Sequence, residues 1–398
     1  MSVPNPTPSP AAPVVATTLA AVRGVLANAK LPAALHEPEF AGRERECVNE
    51  CIETGWVSSV GAYVDRFERD LAAITGARFA IATSNGTAAL HVCLLLAGVR
   101  TGDEVLVPAL TFIATANAVS YANATPHFVD SEAVSLGIDA EKLERYLAEI
   151  ATRTDGQCVN RRTGRVIRAL IVMHVFGHPA DLDALARITR HWGITLIEDA
   201  AESLGSSHGS RHTGNVGLVS ALSFNGNKIV TTGGGGAVLT NDAVLGPRAK
   251  HLTTTARVAH RWNFIHDEVG YNYRLPNLNA ALGCAQLERL PDMLARKRAL
   301  AARYIAAFAD VNGVRFLREP PGTTSNYWLN AIALDSGQKH LRDDLLAALN
   351  DVGFISRPIW TLMHRLPMYS ACPRGDLSLA EDLEARVINL PSSAKLGA

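Results

Sequence analysis

One lysine stands between an apolar segment and four consecutive glycines in Ser223-Phe-Asn-Gly-Asn-Lys228-Ile-Val-Thr-Thr-Gly-Gly-Gly-Gly236. A lysine amine is a nucleophile once deprotonated, which makes Lys228 the candidate working residue. A lysine beside glycines is also how a solvated surface lysine looks, so the other reactive types decide the matter. The run Thr195-Leu-Ile-Glu-Asp199 ends in an acidic pair and continues Ala-Ala-Glu-Ser203. Asp199 there can hold a cationic ring nitrogen, or it can cap a following helix. Ser84-Asn-Gly-Thr87 opens a helix, where free amides and the helix dipole suit a phosphate. Ordinary capping is its alternative. Neither this segment nor Gly226-Asn-Lys228 has the spacing of a nucleotide-binding P-loop, and no Gly-x-Gly-x-x-Gly follows the first strand.

These residues need elements to position them. Short apolar runs bounded by turn residues predict strands over 79–83, 104–108, 125–129, 169–174, 195–198, 221–224 and 236–240. Helices are expected between them, over 88–97, up to Tyr121, and over 140–150 and 181–191. Strands alternating with helices imply an α/β fold with a mostly parallel sheet covered on both faces. Beyond Asn241 the pattern changes to long helices over 277–289 and 292–309, interrupted at Pro291. Strands over 314–317, 330–334 and 354–358 and a helix over 340–351 follow. The expected organisation is an N-terminal extension over 1–34, a large domain over 35–290 and a small C-terminal α/β domain over 291–398. Residues 1–12 are proline-rich and expected to be disordered, and a helix is expected over 14–30.

In open α/β sheets ligands gather beyond the carboxyl ends of the strands, which is where Asp199, Ser84–Thr87 and Lys228 fall. Composition narrows the partners. The chain has 398 residues, and its 38 basic side chains balance 38 acidic ones, so no field draws it to nucleic acid or an anionic membrane. No apolar run is long enough to span a bilayer, and the proline-rich start is unlike a secretory signal, so the expected location is cytoplasmic. Six cysteines are scattered, and only Cys47 and Cys51 share a helical face, which favours neutral thiols over a zinc site. His174 and His178 are four apart, but Gly177 and Pro179 break any helix that would align them on a metal. No metal is expected.

A carboxylate for a ring nitrogen, a helix start for a phosphate and a lysine after a Ser-Phe pair together describe a pyridoxal phosphate site. In order and spacing the chain resembles the DegT/StrS-type sugar aminotransferases of fold-type I, from about Leu35 to Ser393. The matching segments are Thr54-Gly-Trp56, Phe67-Glu68, Gly86-Thr-Ala-Ala-Leu90, Pro108-Ala-Leu-Thr-Phe112, Glu198-Asp-Ala-Ala-Glu202, Ser223 to Lys228, and Gly270-Tyr-Asn-Tyr-Arg274. Within the family it is most similar to the branch of legionaminic-type sugar biosynthesis, through Leu35-His-Glu-Pro38, Gly55-Trp-Val-Ser-Ser-Val-Gly61, Phe112-Ile-Ala-Thr-Ala-Asn117 and the Lys228 segment.

The resemblance implies that Lys228 bonds covalently to pyridoxal 5'-phosphate and later shuttles a proton. Asp199 is implied to pair with the ring nitrogen, Gly86, Thr87 and Ser223 to bind phosphate, and Phe112 to stack on the ring; a core phenylalanine is the bland alternative. Glu202 stands where relatives often carry a glutamine facing the ring hydroxyl. Asn272 matches a position that reaches the phosphate from a neighbouring subunit, which implies a homodimer with shared sites. Arg274 is then placed to hold a donor carboxylate, or is a surface ion-pair residue. Trp56 is a packed tryptophan or part of the sugar site, together with the 257–262 segment. The implied reaction moves an amino group from L-glutamate to a nucleotide-linked 4-keto-6-deoxy sugar, UDP- or GDP-2-acetamido-4-keto-2,6-dideoxyhexose. The alternatives are a sugar dehydratase, whose family pattern replaces the lysine by histidine, and a catalytically idle regulator that binds the cofactor.

Overall fold

The computed structural model describes residues 13–398, so the disorder expected for 1–12 lies outside the described residues. Seven strands form the main sheet: β1 (Phe79–Thr83), β2 (Glu104–Pro108), β3 (Thr125–Val129), β4 (Ile167–Met173), β5 (Thr195–Asp199), β6 (Val219–Ser223) and β7 (Gly236–Thr240). Their order across the sheet is β1-β7-β6-β5-β4-β2-β3. All pairings are parallel except those of β7, which runs antiparallel to both its neighbours. The strands are apolar nearly throughout because both faces are covered. Along β2, Val105 and Val107 enter one core and Leu106 another, and along β4 Ile171 and Leu170 divide in the same way.

A second, antiparallel sheet joins Val314–Phe316, Asn330–Leu334, Val387–Leu390 and Arg357–Pro358 in that order. Helices Leu290–Ala307 and Arg342–Asp351 pack on it. Pro291 does not interrupt the first of these. It sits in the first turn, where a missing N–H leaves no helical bond unmade. The expected strand over 354–358 is shorter than the sequence implies, whereas Val387–Leu390 was hidden among short apolar runs and is an inner strand of this sheet.

The start of the chain also belongs to this second core. Helix Pro13–Val25 buries Val14, Val15, Val22 and Val25 against Leu300, Tyr304, Leu345 and Leu349. The following segment is threaded between small-sheet ends: Ala33 bridges Phe354, and Leu35 accepts a hydrogen bond from the Ser392 amide at 2.7 Å. Among the described residues no helix is long and apolar enough to cross a membrane.

Candidate active site

The carboxyl ends of β1, β2, β4, β5 and β6 open onto one cavity of about 670 Å³. From β1 the chain turns at Asn85 into helix Gly86–Leu96. The Asn85 side chain accepts the Ala88 N–H at 2.8 Å, which leaves the amides of Gly86 and Thr87 without intrahelical acceptors at the cavity wall. Two glycines let this helix start lie against the sheet. A Cβ on Gly86 would come 2.8 Å from the Ser223 Cβ, and one on Gly236 would come 2.5 Å from the Asn85 carbonyl carbon. The glycine run therefore does two things: Gly233 (φ 79°) turns the chain behind Lys228, and Gly236 seats the helix.

Alternation along β5 sends its two terminal acids opposite ways. Glu198 points away from the cavity and accepts bonds from the amides of Gly214, Val216 and Gly217, each at 2.7 Å, and from His174 Nε2 at 3.0 Å. Burial raises its pKa, but His174 and these amides win and hold it below the usual carboxylate range. His174 thus has a structural partner. Asp199 lines the cavity, with Thr115 Oγ1 donating at 2.7 Å and the Ala201 amide at 3.2 Å. Burial pushes its pKa up, against these donors and the charge of Lys228.

Lys228 follows β6 through a turn closed by its own amide on Asn225. Its Nζ lies 3.3 Å from Glu202 Oε1 and 3.8 Å from the centre of the Trp328 ring. Glu202 accepts the Phe176 N–H through Oε2 at 2.9 Å, and burial lifts its pKa to about 7 against the pull of Lys228. The His36 ring is tilted beside Trp328 with ring centres 6.4 Å apart; burial, then the nearby Lys297 and Lys228, hold its pKa well below the usual histidine range.

Of the residues singled out in the sequence, Gly86, Thr87, Phe112, Asp199, Glu202, Ser223 and Lys228 line this one cavity. Phe112 is half-exposed to it and meets Trp360 edge-on, so it is not a core phenylalanine. Asn272, Arg274 and Trp56 do not line it. Asn272 is exposed and accepts from Arg274 Nε at 3.1 Å, while Trp56 borders a separate groove with Val60 and Tyr63. Sequence reasoning missed His36, Trp328, Arg357 and Trp360, which also line the cavity. The signal was present in Asn326-Tyr-Trp328 and Arg357-Pro-Ile-Trp360, two aromatic-bearing stretches beside short strands.

The residue set fits pyridoxal phosphate. Gly86, Thr87 and Ser223 offer donors at the foot of a helix for the phosphate, Asp199 is a buried, oriented carboxylate, Phe112 presents a ring, and Lys228 projects its amine into the same space.

Residues 38–398 match the DegT/DnrJ/EryC1/StrS aminotransferase family. The chain is 37% identical over 362 residues to the GDP-perosamine synthase of Escherichia coli O157:H7, covering 91% of this chain and 93% of that protein. It is 36% identical over 368 residues to the putative pyridoxal phosphate-dependent aminotransferase EpsN of Bacillus subtilis (strain 168), covering 91% of each. The crystal structure of the aminotransferase TlmJ from Streptoalloteichus hindustanus superposes with a TM-score of 0.81 at 28% identity, over 91% of this chain and 94% of that one.

Proposed function

The chain belongs to the DegT/DnrJ/EryC1/StrS aminotransferase family, and on that premise we propose that it transfers the amino group of L-glutamate to a nucleotide-linked 4-keto-6-deoxy sugar in the cytoplasm. The observation that carries this reading is the meeting of Lys228, Asp199 and the Gly86–Thr87 helix start on one cavity. The resemblance of the Leu35–Pro38, Gly55–Gly61 and Phe112–Asn117 stretches to the legionaminic-type branch supports a 2-acetamido-4-keto-2,6-dideoxyhexose as acceptor. The similarity to a GDP-perosamine synthase keeps GDP beside UDP as the nucleotide.

When bound, pyridoxal phosphate supplies an electrophilic carbon and a ring that accepts electron density. Every other part falls to the protein. Gly86, Thr87 and Ser223 would bind the phosphate oxygens. Asp199, oriented by Thr115, would keep a proton on the ring nitrogen. Phe112 would lie against the ring, and Glu202 would serve the ring hydroxyl. Lys228 would bond the cofactor and, once released, would move the proton of the donor α-carbon. Arg357 is the one guanidinium lining the cavity among the described residues and is placed for a donor carboxylate. Asn272 and Arg274 serve the cavity of a partner copy in a homodimer, and the Trp56 loop serves the sugar.

The test is spectroscopic. The purified protein is expected to carry a yellow chromophore that L-glutamate bleaches and a keto sugar restores, with an amino sugar detected by mass spectrometry. Borohydride should trap the cofactor on the wild type but not on Lys228→Ala. A protein that binds no pyridoxal phosphate, or yields no amine from a panel of UDP- and GDP-linked keto sugars, overturns the proposal.

A further inference from the structure

Lys228 has a single carboxylate within ion-pair distance among the described residues, Glu202, and the surrounding backbone is bent to hold it. The Phe176 amide that donates to Glu202 Oε2 belongs to a residue with φ 57°, in the left-handed region that a phenylalanine rarely enters. Gly177, next to it, has φ 94°, and a Cβ there would lie 1.9 Å from Asn326 Oδ1. Asn326 in turn donates to the carbonyl of Glu202 at 2.9 Å and accepts the Trp328 N–H at 2.7 Å. The Trp328 ring lies on Lys228 Nζ. One strained connection therefore fixes both members of the Lys228–Glu202 pair.

A ring hydroxyl needs only a fixed polar partner, which the amide of a glutamine supplies. What a carboxyl adds is the capacity to take up and release a proton. The Phe176 N–H decides where that proton goes. It is a donor, and the carbonyl oxygen of a carboxylic acid accepts better than its hydroxyl, so the N–H favours Oε2 as the carbonyl and places the acid proton on Oε1, the oxygen that faces Lys228. The charge balance favours exchange along this line. An ammonium–carboxylate pair and an amine–carboxylic acid pair are both neutral, so the proton crosses without changing the net charge of a buried site.

The geometry points to Glu202 as a catalytic proton partner of Lys228. Its Oε1 takes a proton from the ammonium as an N–H bond breaks and an O–H bond forms, leaving the free amine, and later returns it. The groups that face Glu202 are Lys228, whose charge opposes its protonation, Asp199, whose negative charge favours it, and the Phe176 amide. Burial is the largest influence and brings the carboxyl to about 7, within reach of neutral solution. The proposal rests on the aminotransferase reading for the reaction it serves, and it is tested in the donor half-reaction, where no sugar is needed.

The experiment compares wild type, Glu202→Gln and Glu202→Asp as cofactor-loaded proteins. The visible absorbance of the wild type should titrate with a midpoint that Glu202→Gln lacks and Glu202→Asp keeps at a displaced pH. In stopped flow with L-glutamate, bleaching by the wild type should slow as pH falls through that midpoint. Glu202→Gln should bleach about tenfold or more slowly at pH 8 with a flattened acid limb. Equal borohydride trapping in all three would show that Lys228 still bonds the cofactor. A Glu202→Gln protein with the wild-type titration and rate profile overturns the proposal. If that variant does not fold, a Glu202→Asp protein with no titration overturns it equally. A wild type that bleaches and titrates as expected yet aminates no sugar would sink the proposed acceptor and leave the proton exchange standing.

Discussion

Glu198 and Asp199 are adjacent, equally buried and opposite in their surroundings, because alternation along β5 turns one toward a nest of amides and the other toward the cavity. Glu202 completes a set of three carboxyls in five residues, of which the amides and His174 hold Glu198 below the usual range while burial raises Asp199 and Glu202. Its raised pKa makes a stability prediction with a definite sign. An unfolded glutamate loses its proton near 4.5, whereas folded Glu202 keeps it to about 7. The folded state thus holds the extra proton in that window, so the contribution is full below pH 4.5 and lost as pH rises through 7, by about 3 kcal/mol. Glutamine does not titrate. Urea unfolding of cofactor-free protein should therefore show the stability difference between Glu202→Gln and wild type moving in the variant's favour by about 3 kcal/mol from pH 4.5 to 8. A pH-independent difference would place the carboxyl outside any titration in this range.

At the scale of elements, the decisive contact is a strand against a helix end. Gly236 opens β7 where the Asn85 carbonyl carbon and the Gly86 nitrogen pass 2.5 and 2.7 Å from the place its Cβ would occupy. Both are backbone atoms, so nothing can swing aside. Gly236→Ala is expected to destabilise the fold by about 1–3 kcal/mol and to weaken pyridoxal phosphate binding more than tenfold by displacing the Gly86 and Thr87 amides. Gly234, with open space around it and no positive φ, is the control: Gly234→Ala should change neither by more than about twofold, as measured by thermal unfolding and cofactor titration. The same pair of residues shows what a sequence makes legible. β1, β2, β3 and β7 could be bounded from apolar runs and turn residues, because those signals are local. That Gly236 seats a helix 150 residues earlier in the chain is a tertiary fact, and no local signal distinguishes it from Gly234. The seven cavity residues named from sequence all lie in segments beside strand ends of the main sheet. His36, Trp328, Arg357 and Trp360 escaped because they arrive from the second sheet and the threaded N-terminal segment, whose meeting depends on packing between distant parts of the chain. The strained φ of Phe176 was equally invisible, since phenylalanine is among the residues least expected there.

At the scale of the whole molecule, Asn272 and Arg274 lie outside the cavity of their own chain, and a neighbouring apolar surface has no cover. The hairpin of Arg257–Val258 and Ile265–His266 carries Trp262 at 71% exposure and Phe264 at 77%, with Val269 at 81% close behind in sequence. So much apolar surface on one short stretch suits burial against a second copy, where a two-fold axis would present each chain's Asn272 to the other's cavity. This arrangement has a consequence that a monomer cannot imitate. In such a dimer Lys228→Ala would lack the working amine in its own cavity but would still supply Asn272 and Arg274 to a partner. An Asn272→Ala/Arg274→Ala double variant would keep the amine but supply nothing across the axis. Each alone should be inactive or severely impaired. Mixed, unfolded together and refolded, they should form heterodimers in which one cavity has every defect and the other has none. With random pairing half of the dimers are mixed and each has one intact site of two, so activity should return to about a quarter of the wild-type value. Were Asn272 and Arg274 to act within their own chain, every cavity in the mixture would still carry one defect, and no activity would return. Replacing Trp262 and Phe264 by aspartate in both chains should abolish the rescue and shift the protein toward monomer in light scattering, which ties the recovered activity to the hairpin interface.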